Sequence, residues 1–319
     1  MAVYTHIDED QLDTLLAGFE LGEVKALKGI AEGVENSNFF LLTESGRYIL
    51  TIYEKRVDPA DLPFFLSLMD HLSHKGVRCP VPIRDRNGEA LQEIAGKPAA
   101  IITFLDGQSP RAMTPARCEA LGRVLAELHA AGQDFAMRRV NVLSVDGWRT
   151  LFARSRESGK GVEKALAAEI GAELAFLERE WPRELPSGVI HADLFPDNVF
   201  FDRNRVSGLI DFYFACTDLF AYDVAICINA WCFEISGEFN ITKSRALLRG
   251  YRERREMTEA EIEALPVLLR GAAMRFLLTR LHDWLNQVDG ALVKPKNPDE
   301  YLRKLRFHQR LDGPQAYGV

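Results

Sequence analysis

The chain has 319 residues, enough for one large or two ordinary domains; 47% are apolar and 27% charged, the profile of a globular protein rather than a disordered one. A formal net charge of −7 speaks against a general binder of nucleic acid or anionic membranes. The opening MAVYTHIDEDQ turns acidic at once and lacks the apolar stretch of a signal peptide. The longest apolar run, DLFAYDVAICINAWCFEI, is interrupted by Asp223 and Asn229 and predicts a buried helix, not a membrane span. The five cysteines (Cys79, Cys118, Cys216, Cys227, Cys232) are odd in number and lack C-x-x-C spacing, as expected of small hydrophobes in a reducing cytoplasm.

In chain order, residues 8–18 alternate acids with Leu at helical spacing and predict a short helix. Strand signals follow in EVKALKG, NSNFFLLTE and RYILTIYE, the last two joined by a turn at Glu44, Ser45 and Gly46. PADLPFFLSLMDHLSHKG has a period near 3.6 and stops at Gly76, and EALQEIAGKPAAIITFLDG predicts another hairpin. After Gly107, TPARCEALGRVLAELHAAG predicts a helix with Thr114 as N-cap and Pro115 at its first position. Helices are expected near 147–158 and 161–180, then two short strands with their loops, then mostly helix from residue 218 onward. The expected architecture is α+β: residues 1–105 a small antiparallel β-sheet lobe, residues 106–319 a larger, mainly helical lobe, with a cleft between them.

Four Asp, two Asn and a His crowd between apolar runs in VIHADLFPDNVFFDRNRVSGLIDFYFA, residues 189–215. The spacing is His191-x-Asp193-x-x-x-x-Asn198, then strand, turn, strand, then Asp211-Phe212-Tyr213. A hairpin would bring Asn198 and Asp211 to one site, and oxygen ligands of this kind suit Mg²⁺. Asp193 beside the metal could accept a proton from a hydroxyl nucleophile. This is the division of labour that protein kinases write as H-R-D-x-x-x-x-N followed by D-F-G. Asp197 and Asp202 are expected as rim or turn residues, Asp218 as the N-cap of the apolar helix, and His191 as a hydrogen-bonder that shapes the loop.

With GVENSNFFLLT, YILTIYE, HADLFPDNVFF, GLIDFYFAC and YDVAICINAWCF, nearly the whole chain resembles the aminoglycoside phosphotransferase and choline kinase-like families, and within them the second type of bacterial homoserine kinase. The resemblance implies a protein-kinase-like fold, ATP and Mg²⁺ as cofactors, Asp193 as base, and Asn198 and Asp211 as metal ligands. It also locates departures. Thr51 stands where such folds carry a strand lysine, and Phe64 and Phe65 fall where its glutamate partner would be. The phosphate loop has Gly29-x-x-x-Gly33 in place of G-x-G-x-x-G, with Asn36, Ser37 and Asn38 as candidate phosphate donors. Lys25, Lys28, Lys55 and Arg56 lie nearby in sequence as cations that could replace the lysine. Adenine is expected against Thr103, Phe104 and Leu105.

The acceptor is expected to be a small amino-acid alcohol, with Arg275 and Arg280 on a late helix as carboxylate partners. Choline would instead need an aromatic cage, for which Tyr213, Trp231 and Trp284 are the candidates. An aminoglycoside would want a broad acidic cleft. The expected reaction is ATP-dependent phosphorylation of homoserine. The alternatives are a choline, ethanolamine or aminoglycoside kinase, and a nucleotide-binding pseudokinase that has lost turnover with its lysine.

Overall fold

The structure is a computed structural model that describes residues 5–30, 36–54, 57–157, 161–286 and 295–319. Two compact units emerge. The first comprises Met1–Gly107 with Phe135–Met137 and Ser207–Tyr213; the second comprises Gln108–Asp134, Arg138–Val206 and Phe214–Val319.

The first unit opens with α1 (Glu9–Leu16), set by a capping box in which Asp8 accepts from Gln11 N–H and the Gln11 side chain reaches back to the cap. Strands β1 (Val24–Gly29), β2 (Asn36–Thr43), β3 (Arg47–Tyr53), β4 (Leu91–Ile94) and β5 (Lys97–Thr103) form one sheet in the order β1-β2-β3-β5-β4, and the pairs β1·β2, β2·β3, β3·β5 and β4·β5 are antiparallel. Alternation then decides what each face carries. Leu50 and Ile52 join Phe39, Leu41, Leu12, Leu15 and Ile101 in a core on the α1 side. Thr51 and Tyr53 turn the other way and pair in register with Asn38 and Asn36. Helix α2 (Leu62–His74) follows β3 after a 3₁₀ turn and buries Phe64 and Phe65.

The second unit holds α3 (Pro115–Ala131), α4 (Val145–Arg156), α5 (Lys164–Glu180), α6 (Phe220–Trp231), α7 (Ile241–Arg252), α8 (Glu259–Leu285) and α9 (Asp299–His308). Thr114 caps α3 by accepting from Arg117 N–H, as its sequence predicts. Helix α6 is buried on nearly every side, and α8 starts at a Thr258–Glu261 capping box upstream of Pro266.

Where two short strands were expected there are four: β6 (Ser187–Ile190), β7 (Val199–Asp202), β8 (Arg205–Leu209) and β9 (Cys216–Leu219). β6 pairs antiparallel with β9, from Ser187↔Leu219 to Ile190↔Cys216. Strands of four residues are too short to show a period of their own. The register also corrects Asp218. It lies in β9, where its carboxylate accepts from Asn141 Nδ2 at 2.7 Å and from Leu219 N–H at 2.8 Å, while α6 begins after Leu219 with no side-chain cap.

Candidate active site

In the second unit, β6 ends at Ile190 and delivers the chain into the loop from His191 to Asn198. Ala192 has a φ of 64°, the left-handed region that costs an L-residue roughly 1–2 kcal/mol. Three bonds hold it there. Asp223 of α6 accepts from His191 N–H at 2.8 Å with Oδ2 and from Ala192 N–H at 2.9 Å with Oδ1, and Arg275 Nη1 of α8 donates to the Ala192 carbonyl. The next residue is Asp193. Its backbone N–H donates to His191 Nδ1 at 3.3 Å, and its carbonyl accepts from Phe195 N–H at 2.8 Å. Asn198 Nδ2 donates to both the Asp193 carbonyl (2.8 Å) and Asp193 Oδ2 (3.1 Å). The amide nitrogen is thereby committed, which leaves the Asn198 carbonyl oxygen as the atom available to a hard cation.

Asp223 is the residue that spacing alone misses. It has no exposed surface, and His129 Nε2 of α3 lies 3.2 Å from Oδ2, with Tyr251 of α7 2.8 Å from His129 Nδ1. Burial pushes the Asp223 carboxyl up, but the His129 hydrogen bond, the electrostatic pull of the two neighbouring imidazoles and the His191 N–H outweigh it and hold it below the ordinary carboxylate range. Its signal in the sequence is a lone carboxylate inside an apolar helical run, because a buried charge persists only when it is bonded.

In the first unit, Asp211 follows β8, is exposed and has a φ of 65°. Two residues later, the Tyr213 hydroxyl lies 3.2 Å from that of Tyr53 at the end of β3, and its ring meets Phe65 of α2 edge-on at 5.7 Å. Thr51 donates from Oγ1 to Asn38 Oδ1 at 2.9 Å. Thr51, expected by resemblance at the place of a strand lysine, sits among hydroxyls and rings, and the Asp211 charge acts on Tyr213. Burial pushes Tyr213 up to about 12, so it stays protonated. Glu54, just past β3, pairs with Lys97 of β5 at 2.5 Å and accepts from Ser37, so this ion pair belongs to the α1 face of the sheet.

The remaining expected site residues divide. Gly33, Lys55 and Arg56 lie outside the described residues. Asn36 and Asn38 share the Thr51 face, but Ser37 does not. It is buried, donates to Glu54 Oε1 at 2.7 Å and accepts from Thr5 N–H at 3.1 Å, because residues one apart on a strand face opposite ways. Along the expected adenine strand, Thr103 N–H already donates to Val81 and Phe104 N–H to Arg47, while Leu105 packs beside Gly208. Trp231 is fully buried and donates from Nε1 to the Leu194 carbonyl at 2.7 Å, so it braces the loop from behind instead of walling a cage. Arg275 is 1% exposed and grips Ala192, with its guanidinium over Phe276 at 4.5 Å; a carboxylate acceptor cannot reach a side chain so enclosed. Arg280 is paired with Glu300 at 2.7 Å. Asp202 ends β7 and is exposed.

The family model described as "Phosphotransferase enzyme family" matches residues 26–257. A homoserine kinase of Parvibaculum lavamentivorans is 58% identical over 319 residues, covering 100% of this chain and 99% of its own. One from Xanthobacter autotrophicus is 59% identical with the same coverage. Among solved structures, an amicoumacin kinase in complex with AMP-PNP, Ca²⁺ and Ami superposes with a TM-score of 0.72 at 17% identity, covering 95% of this chain and 92% of that one. A choline kinase from Cryptosporidium parvum superposes with a TM-score of 0.69 at 16% identity, covering 95% of each chain. At those identities the structural likeness speaks for the fold. It confirms the expected protein-kinase-like α+β class.

Proposed function

The chain belongs to the phosphotransferase enzyme family and, within it, to the homoserine kinases, and from that premise we propose that it moves the γ-phosphoryl group of ATP to the side-chain hydroxyl of L-homoserine. The observation that carries the residue assignment is the loop at Asp193. A carboxylate sits on a strained turn held from behind by Asp223 and Arg275, with an asparagine whose amide nitrogen is already bonded. Phosphoryl transfer asks the protein for positioning and charge compensation more than for covalent chemistry, and a rigid loop meets that demand.

In this reading Asp193 accepts the hydroxyl proton as the oxygen attacks phosphorus. Asn198 Oδ1 and the Asp211 carboxylate would hold Mg²⁺, which would supply charge neutralisation at the phosphates. The hydroxyl cluster of Thr51, Asn38 and Tyr213 contributes neutral donors where related folds place a lysine. Leu105 offers adenine the backbone N–H that Thr103 and Phe104 have committed elsewhere. We locate the reaction in the cytoplasm, on a small molecule, without nucleic acid. Among the described residues no helix is long and apolar enough to cross a membrane.

The test is a product assay with ATP, Mg²⁺ and a panel of homoserine, choline, ethanolamine and kanamycin. Homoserine should be phosphorylated, and Asp193→Asn should keep the fold while cutting turnover by roughly 10²-fold or more, the range of a positioned acid–base group. Near-normal turnover in that variant would sink the assignment of the base. Nucleotide binding without product from any alcohol would identify a pseudokinase instead.

A further inference from the structure

The second unit carries an open surface cavity of about 380 Å³, whose lining includes Phe195, Asp197, Arg280, Lys296 and Glu300. It is large enough for a small amino acid, held from one side. Phe195 and Asp197 lie on the same loop as Asp193 and Asn198, so the cavity adjoins the residues assigned to chemistry.

Its charges are arranged, not scattered. The Arg280 side chain is 10% exposed; Nη1 donates to Glu300 Oε2 at 2.7 Å, and the guanidinium lies 4.5 Å from the centroid of the Tyr301 ring. The other Glu300 oxygen accepts from Lys304 Nζ at 2.6 Å, and Lys304, 6% exposed, also donates to the Asn229 carbonyl at 2.9 Å. Glu300 is thus matched twice and acts as a brace that fixes Arg280. Both hydrogen bonds described for Arg280 come from Nη1, and Arg280 is part of the lining, so its Nη2 and Nε donors are not used by the bonds described. Across the cavity, Lys296 Nζ lies 3.5 Å from Asp197 Oδ2 and 5.5 Å from the Phe195 ring, at the exposed rim. The lining itself carries two cations (Arg280, Lys296) and two carboxylates (Asp197, Glu300), and Lys304 behind Glu300 takes up part of the Glu300 charge.

We propose that this cavity reads the α-amino-acid end of the acceptor: Arg280 and Lys296 take the carboxylate, Asp197 takes the ammonium, and Glu300, braced by Lys304, is the positioning residue that aims Arg280. The assignment rests on the acceptor being an amino-acid alcohol. Asp197 and Lys296 then exchange their long mutual contact for the opposite charges of a zwitterion. An amino alcohol without a carboxylate leaves the Arg280 donors that Glu300 does not take without an acceptor, which is how the site would disfavour it.

The experiment uses the full chain with ATP and Mg²⁺ and three acceptors: L-homoserine, 3-amino-1-propanol, which lacks only the carboxylate, and 4-hydroxybutanoate, which lacks only the ammonium. Lys296→Ala and Arg280→Lys should each raise KM for homoserine roughly 10- to 100-fold, the scale of a charged hydrogen bond. The same variants should change kcat/KM for 3-amino-1-propanol by less than about 3-fold, since it makes no such bond. Asp197→Asn should shrink the preference for homoserine over 4-hydroxybutanoate. Glu300→Gln, acting through Arg280, should raise KM for homoserine while leaving kcat near the wild-type value and 3-amino-1-propanol unaffected. Lys296 is 62% exposed, so its variant folds normally and keeps the test open if an Arg280 variant does not. Homoserine turnover with unchanged KM in both cation variants, or equal losses on all three acceptors, overturns the assignment. Wild-type protein that phosphorylates 3-amino-1-propanol but not homoserine overturns the acceptor reading beneath it, and the assignment with it.

Discussion

Asp223 binds two consecutive backbone N–H groups, one of them on a residue with φ of 64°, and it does so with no exposed surface. An asparagine in its place would keep the shape but present an NH₂ to a position that needs an acceptor. One loop N–H or the His129 ring would then face a donor. Asp223→Asn should therefore lower stability by about 2–3 kcal/mol, the cost of a buried unsatisfied group, and lower kcat more than it changes KM for ATP. Urea unfolding together with steady-state kinetics checks both halves. A variant with wild-type stability and kcat would show that the loop holds Ala192 without the carboxylate. Thr51 makes the opposite case. Its hydroxyl donates one neutral hydrogen bond to Asn38, so Thr51→Val should change turnover by less than about tenfold, one such bond being worth around 1 kcal/mol. Loss of all activity in a folded Thr51→Val protein would show that the neutral cluster does more at the phosphates than donate weakly.

The α3 and α7 pair shows how a helix crossing reaches the site. A Cβ added at Gly122 of α3 would lie 2.1 Å from the Leu247 carbonyl oxygen, and one added at Gly250 of α7 would lie 2.0 Å from that of Glu119. Each helix uses a glycine to let the other's backbone approach. Alanine gains roughly 1 kcal/mol of intrinsic helix propensity over glycine, but backbone cannot yield as a side chain end can. Gly250→Ala should thus be net destabilising, by roughly 1–3 kcal/mol, as overpacked cores are. Tyr251, the next residue, lies hydrogen-bonded to His129, which in turn lies against Asp223, so a displaced α7 should also depress kcat. A thermal melt of Gly250→Ala that matches or exceeds wild type would contradict this packing.

Two histidines in the second unit are kept neutral by burial, and this sets the response of the whole molecule to acid. Burial lowers His308 to about 3, helped by the positive charges of Lys304 and Arg270. His129 is also lowered by burial, against an opposing pull from Asp223. A group whose pKa falls on folding binds fewer protons in the native state, so its stabilisation is complete above the unfolded value of 6.5 and shrinks as pH falls toward the folded value. His308 alone should cost about 2 kcal/mol between pH 7.5 and pH 5, at 1.36 kcal/mol per unit below its unfolded pKa. Glu300 is lowered to about 2, burial pushing it up but Lys304 and Arg280 outweighing it, and it adds a further loss in the same direction below its ordinary range near 4.5. Urea unfolding at pH 7.5, 6.0 and 5.0 should show stability falling with pH. A flat profile would mean that these rings are solvated in the native state.

The sequence by itself determined the order of the first sheet's strands and of the helices, the α3 cap, the spacing from His191 to Asp211 and the threonine at position 51, because each rests on neighbours within a few residues. It also carried the family, since the motif residues lie in two short runs. What only the tertiary structure decided is which side chains are left to act. Strand parity turned Ser37 from the Thr51 face toward Glu54, although its neighbours Asn36 and Asn38 remain there. Arg275 and Arg280 are five positions apart on one helix and look alike in sequence, yet one grips the Ala192 carbonyl and the other borders a cavity with Glu300. Asp197 became a candidate ligand partner only through Lys296, 99 residues along the chain. Asp223 and His129 meet 94 residues apart. Local pattern fixes the backbone course, but the partner of a buried or cavity-lining polar group is chosen by packing between distant segments, and periodicity carries no record of that choice.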